Sequence, residues 1–378
     1  MQPESPKRIL QVVGGMNRGG VETWLMHVLR HIDRDRFQID FLVHTNQPCA
    51  YDDEIRTLGS RIIPCLSPSQ PLRYARRLQH ILEADGPYDV VHSHVHHYSG
   101  WVLAVARRAG VPIRIAHSHS DTSANQARAG MRRKMYLRAM QWLIHRHATN
   151  KLSASRKAAA ALFGTGWESD ARHQLLYYGI DLRPFQVPVD RAALRASLGI
   201  ADDAFVLGHV GRFAEPKNHH FLVDIVAEVA KREPKAVALL VGDGPLRPAI
   251  EKKVAELGLA DHVIFAGLRD DIPALMQGAM DVFVMPSLYE GLPIVGIEAQ
   301  AACLPCVYSD VVPQEAAVVP DLLQPLSLSQ SPADWADRIF ECRKKASIIA
   351  QSEALHCVEQ SRFTIEQSVR HLTRIYSE

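Results

Sequence analysis

Two acidic residues, Glu290 and Glu298, lie eight positions apart on either side of a glycine–proline turn. An apolar run at 281–285 predicts a buried strand before the turn, and 292–302 predicts a helix after it, with Pro293 in its first turn. A helix start attracts anions, because its first N–H groups lack partners in the helix. Carboxylates repel phosphate but accept hydrogen bonds from hydroxyls. The pattern predicts a sugar-nucleotide site, and the alternative is that both acids are solvated charges.

A second charged pattern, Gly211-Arg212-Phe-Ala-Glu-Pro-Lys217, follows the predicted strand 205–210. Arginine offers phosphate a planar fork of donors, and lysine offers a point charge. Arg212 and Lys217 are therefore candidate phosphate ligands. The alternative is two solvated surface cations.

A glycine-rich turn lies near the amino terminus, between the predicted strand 8–13 and the predicted helix 21–31. Strand, glycine turn and helix in this order are typical of nucleotide-binding domains. The glycines do not follow the dinucleotide pattern, however, and no acidic residue ends the next strand, 38–44, so a nicotinamide site is not expected. The turn either approaches a ligand or only joins the strand to the helix.

Histidines are concentrated after two predicted strands. His92, His94, His96 and His97 lie at or after the end of the strand 88–93, and the strand 111–119 ends in His117 and His119. No carboxylate is close by in sequence, so a polar edge at the carboxyl ends of the strands is favoured over a metal site.

The segment 128–147 is basic and carries no acidic residue. Its apolar residues are interleaved with cations, which predicts a basic amphipathic helix that lies on an anionic membrane face. The alternatives are a helix with its apolar side in the core, or a site for a phosphate-bearing acceptor. The cations are Arg128, Arg132, Arg133, Lys134, Arg138 and Arg146.

The 378 residues suit two α/β domains, and the formal net charge of +2 gives no nucleic-acid signal. No signal peptide and no membrane-spanning run is expected. The six cysteines are scattered, which favours reduced thiols in the cytoplasm; Cys303 and Cys306 have metal or redox spacing but lack a second pair.

The segment from Glu290 to Pro293, with Glu298, resembles the E(x)7E motif of the retaining glycosyltransferases of family four, which have the GT-B fold. The glycine turn and the Arg212–Lys217 loop resemble the same family. The resemblance implies two Rossmann-like domains that face each other across a cleft. The acceptor domain would span residues 1–185, with a terminal helix at 362–378 crossing back to it, and 186–361 would bind the nucleotide sugar.

The resemblance also implies roles for individual residues. Glu290 would face the donor sugar, Glu298 would bind the ribose, and His119, with His117 as its rival, would approach the reacting end of the sugar. Arg212, Lys217 and the glycine turn would hold the diphosphate. The catalytic set would be Glu290, His119, Arg212 and Lys217, and the donor would also contact Gly19, Gly20, Leu268, Arg269, Gly291, Leu292, Pro293, Ile294 and Glu298.

The expected reaction is transfer of a sugar, with retention, from a nucleoside-diphosphate sugar such as a UDP-sugar. The acceptor would be a glycan or a lipid-linked acceptor in exopolysaccharide synthesis at the inner face of the cell membrane. No metal and no other cofactor is expected. A sugar-nucleotide epimerase and a non-catalytic nucleotide-sugar-binding protein are the rival functions. Two departures from the family pattern are Cys303, where glycine is usual, and Tyr178, where asparagine is usual.

Overall fold

The computed structural model describes residues 5–66, 68–123, 126, 129–345 and 349–378. The chain forms two compact units. The first, called unit 1 below, comprises Met1–Gly179 and Ile365–Glu378, and unit 2 comprises Ile180–Thr364. The terminal helix therefore belongs to unit 1, and the boundary falls at 179/180, where the sequence placed it at 185/186.

Unit 1 is built on a parallel sheet in the order β3-β2-β1-β4-β5-β6-β7. Its central strands are mostly apolar, because helices cover both faces of a parallel sheet, and polar residues such as Gln11 and His92 interrupt them. The strands are β1 (Lys7–Val13), β2 (Phe37–Val43), β3 (Ile62–Pro64), β4 (Val90–Ser93), β5 (Ile113–Ser118), β6 (Asn150–Ser153) and β7 (His173–Leu175).

The helices of unit 1 pack on this sheet and on one another. They are α1 (Gly20–His31), α2 (Asp52–Thr57), α3 (Pro71–Ala84), α4 (Ser99–Arg108), α5 (Met131–His147) and α6 (Arg156–Phe163). The terminal helix, Ile365–Ser377, packs against α1, where the Trp24 indole N–H donates to Ser368 Oγ at 2.8 Å.

Unit 2 repeats the architecture with a parallel sheet in the order β10-β9-β8-β11-β12-β13. Its strands are β8 (Phe205–Val210), β9 (Ala236–Val241), β10 (Val263–Gly267), β11 (Val282–Met285), β12 (Cys306–Ser309) and β13 (Leu323–Leu326). Its helices are α7 (Arg191–Ser197), α8 (His219–Ala230), α9 (Arg247–Glu256), α10 (Ile294–Ala301), α11 (Pro332–Lys345) and α12 (Gln351–Glu359), and the terminal helix of unit 1 becomes α13.

In both sheets, the chain adds strands first on one side of the first strand and then on the other side. The change of side falls between β1 and β4 in unit 1 and between β8 and β11 in unit 2. Ligands of open parallel sheets bind at such points, beyond the carboxyl ends of the strands. The loops after these four strands are therefore where a site is expected in each unit.

Several predicted boundaries are wrong by one or two residues. Pro293 is the N-cap of α10 and does not lie in its first turn. Strand β5 ends at Ser118, so His119 begins the following loop. After α10, Cys303 adopts φ of +59°, a left-handed conformation that glycine adopts without strain, and β12 begins only at Cys306. Among the described residues, no helix combines the length and apolar character needed to cross a membrane.

Candidate active site

The loops after β8 and β11 meet at the carboxyl edge of the unit 2 sheet. The Leu288 N–H donates to the Pro216 carbonyl at 2.8 Å, and the Lys217 ammonium donates to Glu290 Oε1 at 2.6 Å. The structure thus brings together an acid and a cation that the sequence placed 73 positions apart. Both side chains keep some exposure, 20% for Lys217 and 10% for Glu290.

Ser287 orients the Glu290 carboxylate, a role that the sequence did not reveal. Its hydroxyl donates to Oε1 of Glu290 at 2.7 Å, and its own carbonyl accepts from Ser309 Oγ at 2.7 Å. One carboxylate oxygen is therefore held by a hydroxyl and an ammonium. Within the described residues, Oε2 of Glu290 has no hydrogen-bond partner.

Arg212 differs from Lys217 in its surroundings. Its side chain is exposed and makes no hydrogen bond or ion pair with the described residues. The loop that carries it packs tightly on the loop after β9, since a Cβ added to Gly242 would lie 2.1 Å from the Gly211 carbonyl oxygen. Gly242 also has φ of +135°, so this close contact requires glycine.

Backbone hydrogen bonds align the ends of β8, β9 and β10. The Gly211 N–H donates to Val241 O at 2.9 Å, and the Gly242 N–H donates to Gly267 O at 2.8 Å. The adjacent Leu268 is 53% exposed, and the Arg269 guanidinium donates to both oxygens of Asp271. The predicted phosphate and base ligands therefore lie along one edge of one sheet.

No side chain in the described part of the protein caps the start of helix α10. Gly291 is half-buried, and Leu292, Pro293 and Ile294 are buried. The helix dipole and the first N–H groups make its amino end attractive to an anion.

Glu298 lies in the second turn of α10. It is partly buried, and burial raises the pKa of its carboxyl to about 7. Within the described chain it has no hydrogen-bond partner. A carboxyl of this kind is ready to accept hydrogen bonds from hydroxyl groups.

In unit 1, the glycine turn leads directly into α1. Gly19 is its N-cap and Gly20 its first residue, and no side chain among the described residues caps the helix. A Cβ added to Gly19 would lie 2.5 Å from Glu22 Oε2, so the acid of the first turn lies over the glycine backbone. A larger residue at Gly19 would displace this flexible carboxylate.

The histidines converge at the carboxyl ends of β4 and β5. Side-chain nitrogens of His92, His94 and His117 lie within 4.8 Å of one another, a grouping that could hold a metal ion. These nitrogens bond to other side chains, however: His92 Nε2 lies 3.1 Å from His117 Nδ1, and His94 Nδ1 lies 2.8 Å from His119 Nε2. Burial lowers the pKa of all four histidines, so each is neutral.

The structure separates His117 from His119, which the sequence could not do. His117 is fully buried and its Nε2 has no partner among the described residues. His119 is partly exposed, and both of its ring nitrogens are occupied, by His94 and by Tyr178.

Two parallel Rossmann-like sheets with a charged loop cluster in the second define a GT-B-type protein. A family model described as "Glycosyl transferase 4-like domain" matches residues 19–179, and one described as "Glycosyl transferases group 1" matches residues 204–344. The chain is 38% identical to "Putative glycosyltransferase EpsF" of Bacillus subtilis over 99% of its own length and 97% of that protein.

More distant matches agree with this fold. The chain is 24% identical to the Escherichia coli "UDP-Gal:alpha-D-GlcNAc-diphosphoundecaprenol alpha-1,3-galactosyltransferase", over 77% of its length and 76% of that protein. The crystal structure of Anabaena Alr3699/HepE in complex with UDP-glucose superposes with a TM-score of 0.79 at 22% identity, covering 98% of this chain and 99% of that one. The chain belongs to the family-four type of GT-B glycosyltransferases.

Proposed function

We propose that this glycosyltransferase moves a sugar from a nucleoside-diphosphate sugar, with UDP as the nucleotide, and retains the anomeric configuration. The observation that carries the proposal is the Lys217–Glu290 contact beside the uncapped start of α10. An ammonium has three N–H donors. One of them is bound to Glu290, which leaves two for phosphate oxygens.

In the proposed complex, each charged group takes a different part of the donor. Glu290 Oε2 accepts from a sugar hydroxyl, Glu298 accepts from the ribose, and Arg212 and Lys217 bind the diphosphate. The backbone of Leu268 and Arg269 contacts the base. Gly19, Gly20 and His119 of unit 1 keep the roles that the resemblance implies.

The chemical step breaks the bond between the anomeric carbon and the phosphate oxygen. Negative charge develops on the leaving diphosphate, and fixed donors aimed at that charge lower the barrier. In a front-face reaction, the acceptor hydroxyl attacks from the side that the diphosphate leaves, and its proton passes to a phosphate oxygen. This route retains configuration without a carboxylate nucleophile.

The acceptor we propose is a glycan or a lipid-linked sugar used in polysaccharide synthesis at the inner face of the cell membrane. The name of the Escherichia coli relative describes a diphosphoundecaprenol-linked acceptor for that protein. We further propose that transfer needs no metal and no other cofactor. Activity that survives a chelator would support this, and activity restored by a divalent cation would contradict it.

The first experiment is a thermal-shift panel of nucleotide sugars. A ligand at about 100 times its Kd stabilises the folded protein by about 2.7 kcal/mol, so the true donor stands out. Incubation with that donor alone tests the rival epimerase, which forms a new sugar nucleotide without an acceptor. Binding without transfer to any acceptor would favour a non-catalytic protein, and the anomer of the product tests retention.

Helix α5 supports a contact with an anionic membrane. Met131, Met135 and Trp142 are 75%, 65% and 63% exposed and share one face of the helix at spacings of four and seven residues. Lys134 and Arg138 are exposed beside them, and the helix has no acidic residue. Only part of the predicted apolar set is in the core, with Leu137 and Ile144 buried. Arg128, the first predicted cation, lies outside the described residues.

Vesicle sedimentation tests this contact. We expect the protein to bind vesicles with an anionic lipid and not neutral vesicles. Reversing Lys134 and Arg138 to Glu should weaken binding at least tenfold, since each cation contributes about 1 kcal/mol near such a surface. The exposed Lys252 of α9 provides a matched control, because Lys252→Glu changes charge far along the sequence from α5. Equal binding by both variants would contradict the proposal.

A further inference from the structure

Seven buried or partly buried side chains form one continuous chain of hydrogen bonds at the carboxyl edge of the unit 1 sheet. They come from β1, β4, β5, α13 and the loops after β4, β5 and β7. In order along the chain they are Tyr178, His119, His94, Gln11, Tyr376, His92 and His117.

Gln11 is at the middle of this chain. Its carbonyl oxygen lies 2.7 Å from His94 Nε2, and its amide nitrogen lies 3.0 Å from the Tyr376 hydroxyl. The side chain is fully buried in β1, where its neighbours Leu10 and Val12 are core residues. A buried amide is stable only when it is hydrogen-bonded, and in this orientation both ends of the Gln11 amide are bonded.

The amide determines the proton positions towards His119. A neutral imidazole donates from one nitrogen and accepts at the other. The Gln11 carbonyl only accepts, so His94 carries its proton on Nε2 and accepts at Nδ1. His119 then donates from Nε2 to His94, and its Nδ1 accepts from the Tyr178 hydroxyl.

The other half of the chain follows the same rule. The Gln11 amide donates to Tyr376, whose hydroxyl donates to His92 Nδ1 at 2.8 Å. His92 then donates from Nε2 to His117 Nδ1. The chain ends at an N–H on His117 Nε2 that is buried without a partner in the described part of the protein.

The surroundings keep the chain neutral. The Trp24 ring of α1 packs on His94, His117, His119 and Tyr178, and its N–H is bound to Ser368 of α13. Burial raises the pKa of Tyr178, and the Glu22 carboxylate of α1 adds to this shift. A rotation of the Gln11 amide by a half-turn would reverse every bond and move the His119 proton to Nδ1.

We propose that Gln11 is a positioning residue, which determines through His94 which nitrogen of His119 carries the proton. The proposal rests on the proposed function, in which His119 approaches the reacting end of the donor sugar. It makes the chain an alternative to a metal site, because a metal bound by His92, His94 and His117 would replace these hydrogen bonds.

The test uses the full-length protein with ¹⁵N-labelled histidine, in which nitrogen chemical shifts report the tautomer. Loss of a signal in His119→Gln assigns that residue. We expect the Nε2–H form of His119 in the wild type and a mixture of forms in Gln11→Leu. Gln11→Leu should also lower kcat about tenfold and change the KM for the donor less than twofold, because the charged ligands proposed for the donor are all in unit 2.

Gln11→Glu is the rescue variant. An ionised carboxylate only accepts, so His94 still donates from Nε2, His119 should keep the wild-type tautomer, and kcat should recover to within about threefold of wild type. If Gln11→Leu fails to fold, Tyr376→Phe replaces it, since it removes the group that orients the amide. Ser93→Ala is the matched control: Ser93 is buried between His92 and His94 but bonds to Ser99, outside the chain.

Three outcomes would overturn the proposal: a Gln11→Leu protein with the wild-type tautomer, a kcat loss equal to that of Ser93→Ala, or stoichiometric zinc binding that shifts the His92, His94 and His117 signals. A wild type that transfers no sugar would contradict the proposed function instead. The tautomer measurement needs no activity, so the two failures remain distinguishable.

Discussion

The corresponding edges of the two sheets carry different chemistry. In unit 2, the loops after β8 and β11 present an ammonium and a carboxylate in contact, both partly exposed, and the loop after β8 also carries the exposed guanidinium of Arg212. In unit 1, the strand ends carry neutral imidazoles, phenols and an amide, most of them fully buried. Water and a bound phosphate can both stabilise the charges of unit 2, whereas burial in unit 1 excludes charge without a partner.

The two sheets share a strand order around the first strand, but one edge carries charge and the other directs hydrogen bonds. An exposed ion cluster binds a charged ligand through the strength of its field, and each ion contributes separately. A buried neutral chain gives direction, because one donor fixes the polarity of every bond after it. Substitutions in unit 2 should therefore change turnover without disturbing the fold, and perturbations of unit 1 should affect folding and protonation together.

In unit 2, we expect the largest loss of turnover from Arg212→Ala. Loss of one preorganised donor typically costs about 2.7–4 kcal/mol, so turnover should fall at least about 100-fold. The melting temperature should be unchanged, because Arg212 has no partner among the described residues. Arg232→Ala, which removes a surface contact with Asp337 in the same unit, is the control. Near-normal turnover by Arg212→Ala would contradict its role.

Acidification should destabilise the histidine-rich edge of the unit 1 sheet. Burial lowers the pKa of His92, His94, His117 and His119, and lowers that of His44 to about 4. The unfolded chain therefore binds more protons as the pH falls below about 6.5, and the stability that these neutral histidines provide is lost from there downwards. We expect the melting temperature to fall about 10 °C between pH 7 and 5, since several histidines contribute.

Hydrogen exchange locates the acid effect. Peptides from β4 and β5 should lose protection between pH 7 and 5 before peptides from β12 and β13, which serve as the internal reference. Simultaneous loss in all four strands would show that the histidine chain is not the acid-sensitive element.

Glu298 extends the comparison to a partly buried acid in unit 2. Burial raises the pKa of its carboxyl to about 7. The ionised carboxyl is the better acceptor for ribose hydroxyls, so donor affinity should weaken as the pH falls through 7. Calorimetry should show the Kd rising up to about tenfold from pH 8 to 6, as a single titrating group allows. Glu298→Gln should bind weakly at both values, and an unchanged slope in this variant would assign the effect to another group.

The smallest effect concerns the far end of α10. Cys303 adopts φ of +59°, which costs an L-residue about 1–2 kcal/mol. Cys303→Gly should raise the free energy of unfolding by about 0.5 kcal/mol, after the entropy of glycine and the loss of the thiol contact with the Ile349 carbonyl are subtracted. Cys303→Ala keeps the strained backbone, so it should show no gain in urea denaturation. A gain in both variants would mean that the thiol, not φ, causes the strain.

The amino-acid sequence by itself determined the two α/β halves and provided the charged candidates for the site. Apolar runs alternate with helical patterns. Arg212, Lys217 and Glu290 follow two such strands, and Glu298 lies in the helix after the second of them. Such local patterns can be read from the sequence, because a charged residue that directly follows a buried strand must lie at the carboxyl end of that strand.

The tertiary structure alone decided which polar side chains meet. Gln11 and Tyr376 contact each other across 365 positions, and Ser287 holds Glu290 through a bond that depends on the loop conformation. A glutamine in the apolar strand Arg8-Ile-Leu-Gln-Val-Val13 signals a buried amide that needs partners, but it does not name them. Hydrogen bonds depend on distances of a few tenths of an ångström and on ring orientation, and packing between elements far apart in sequence sets both.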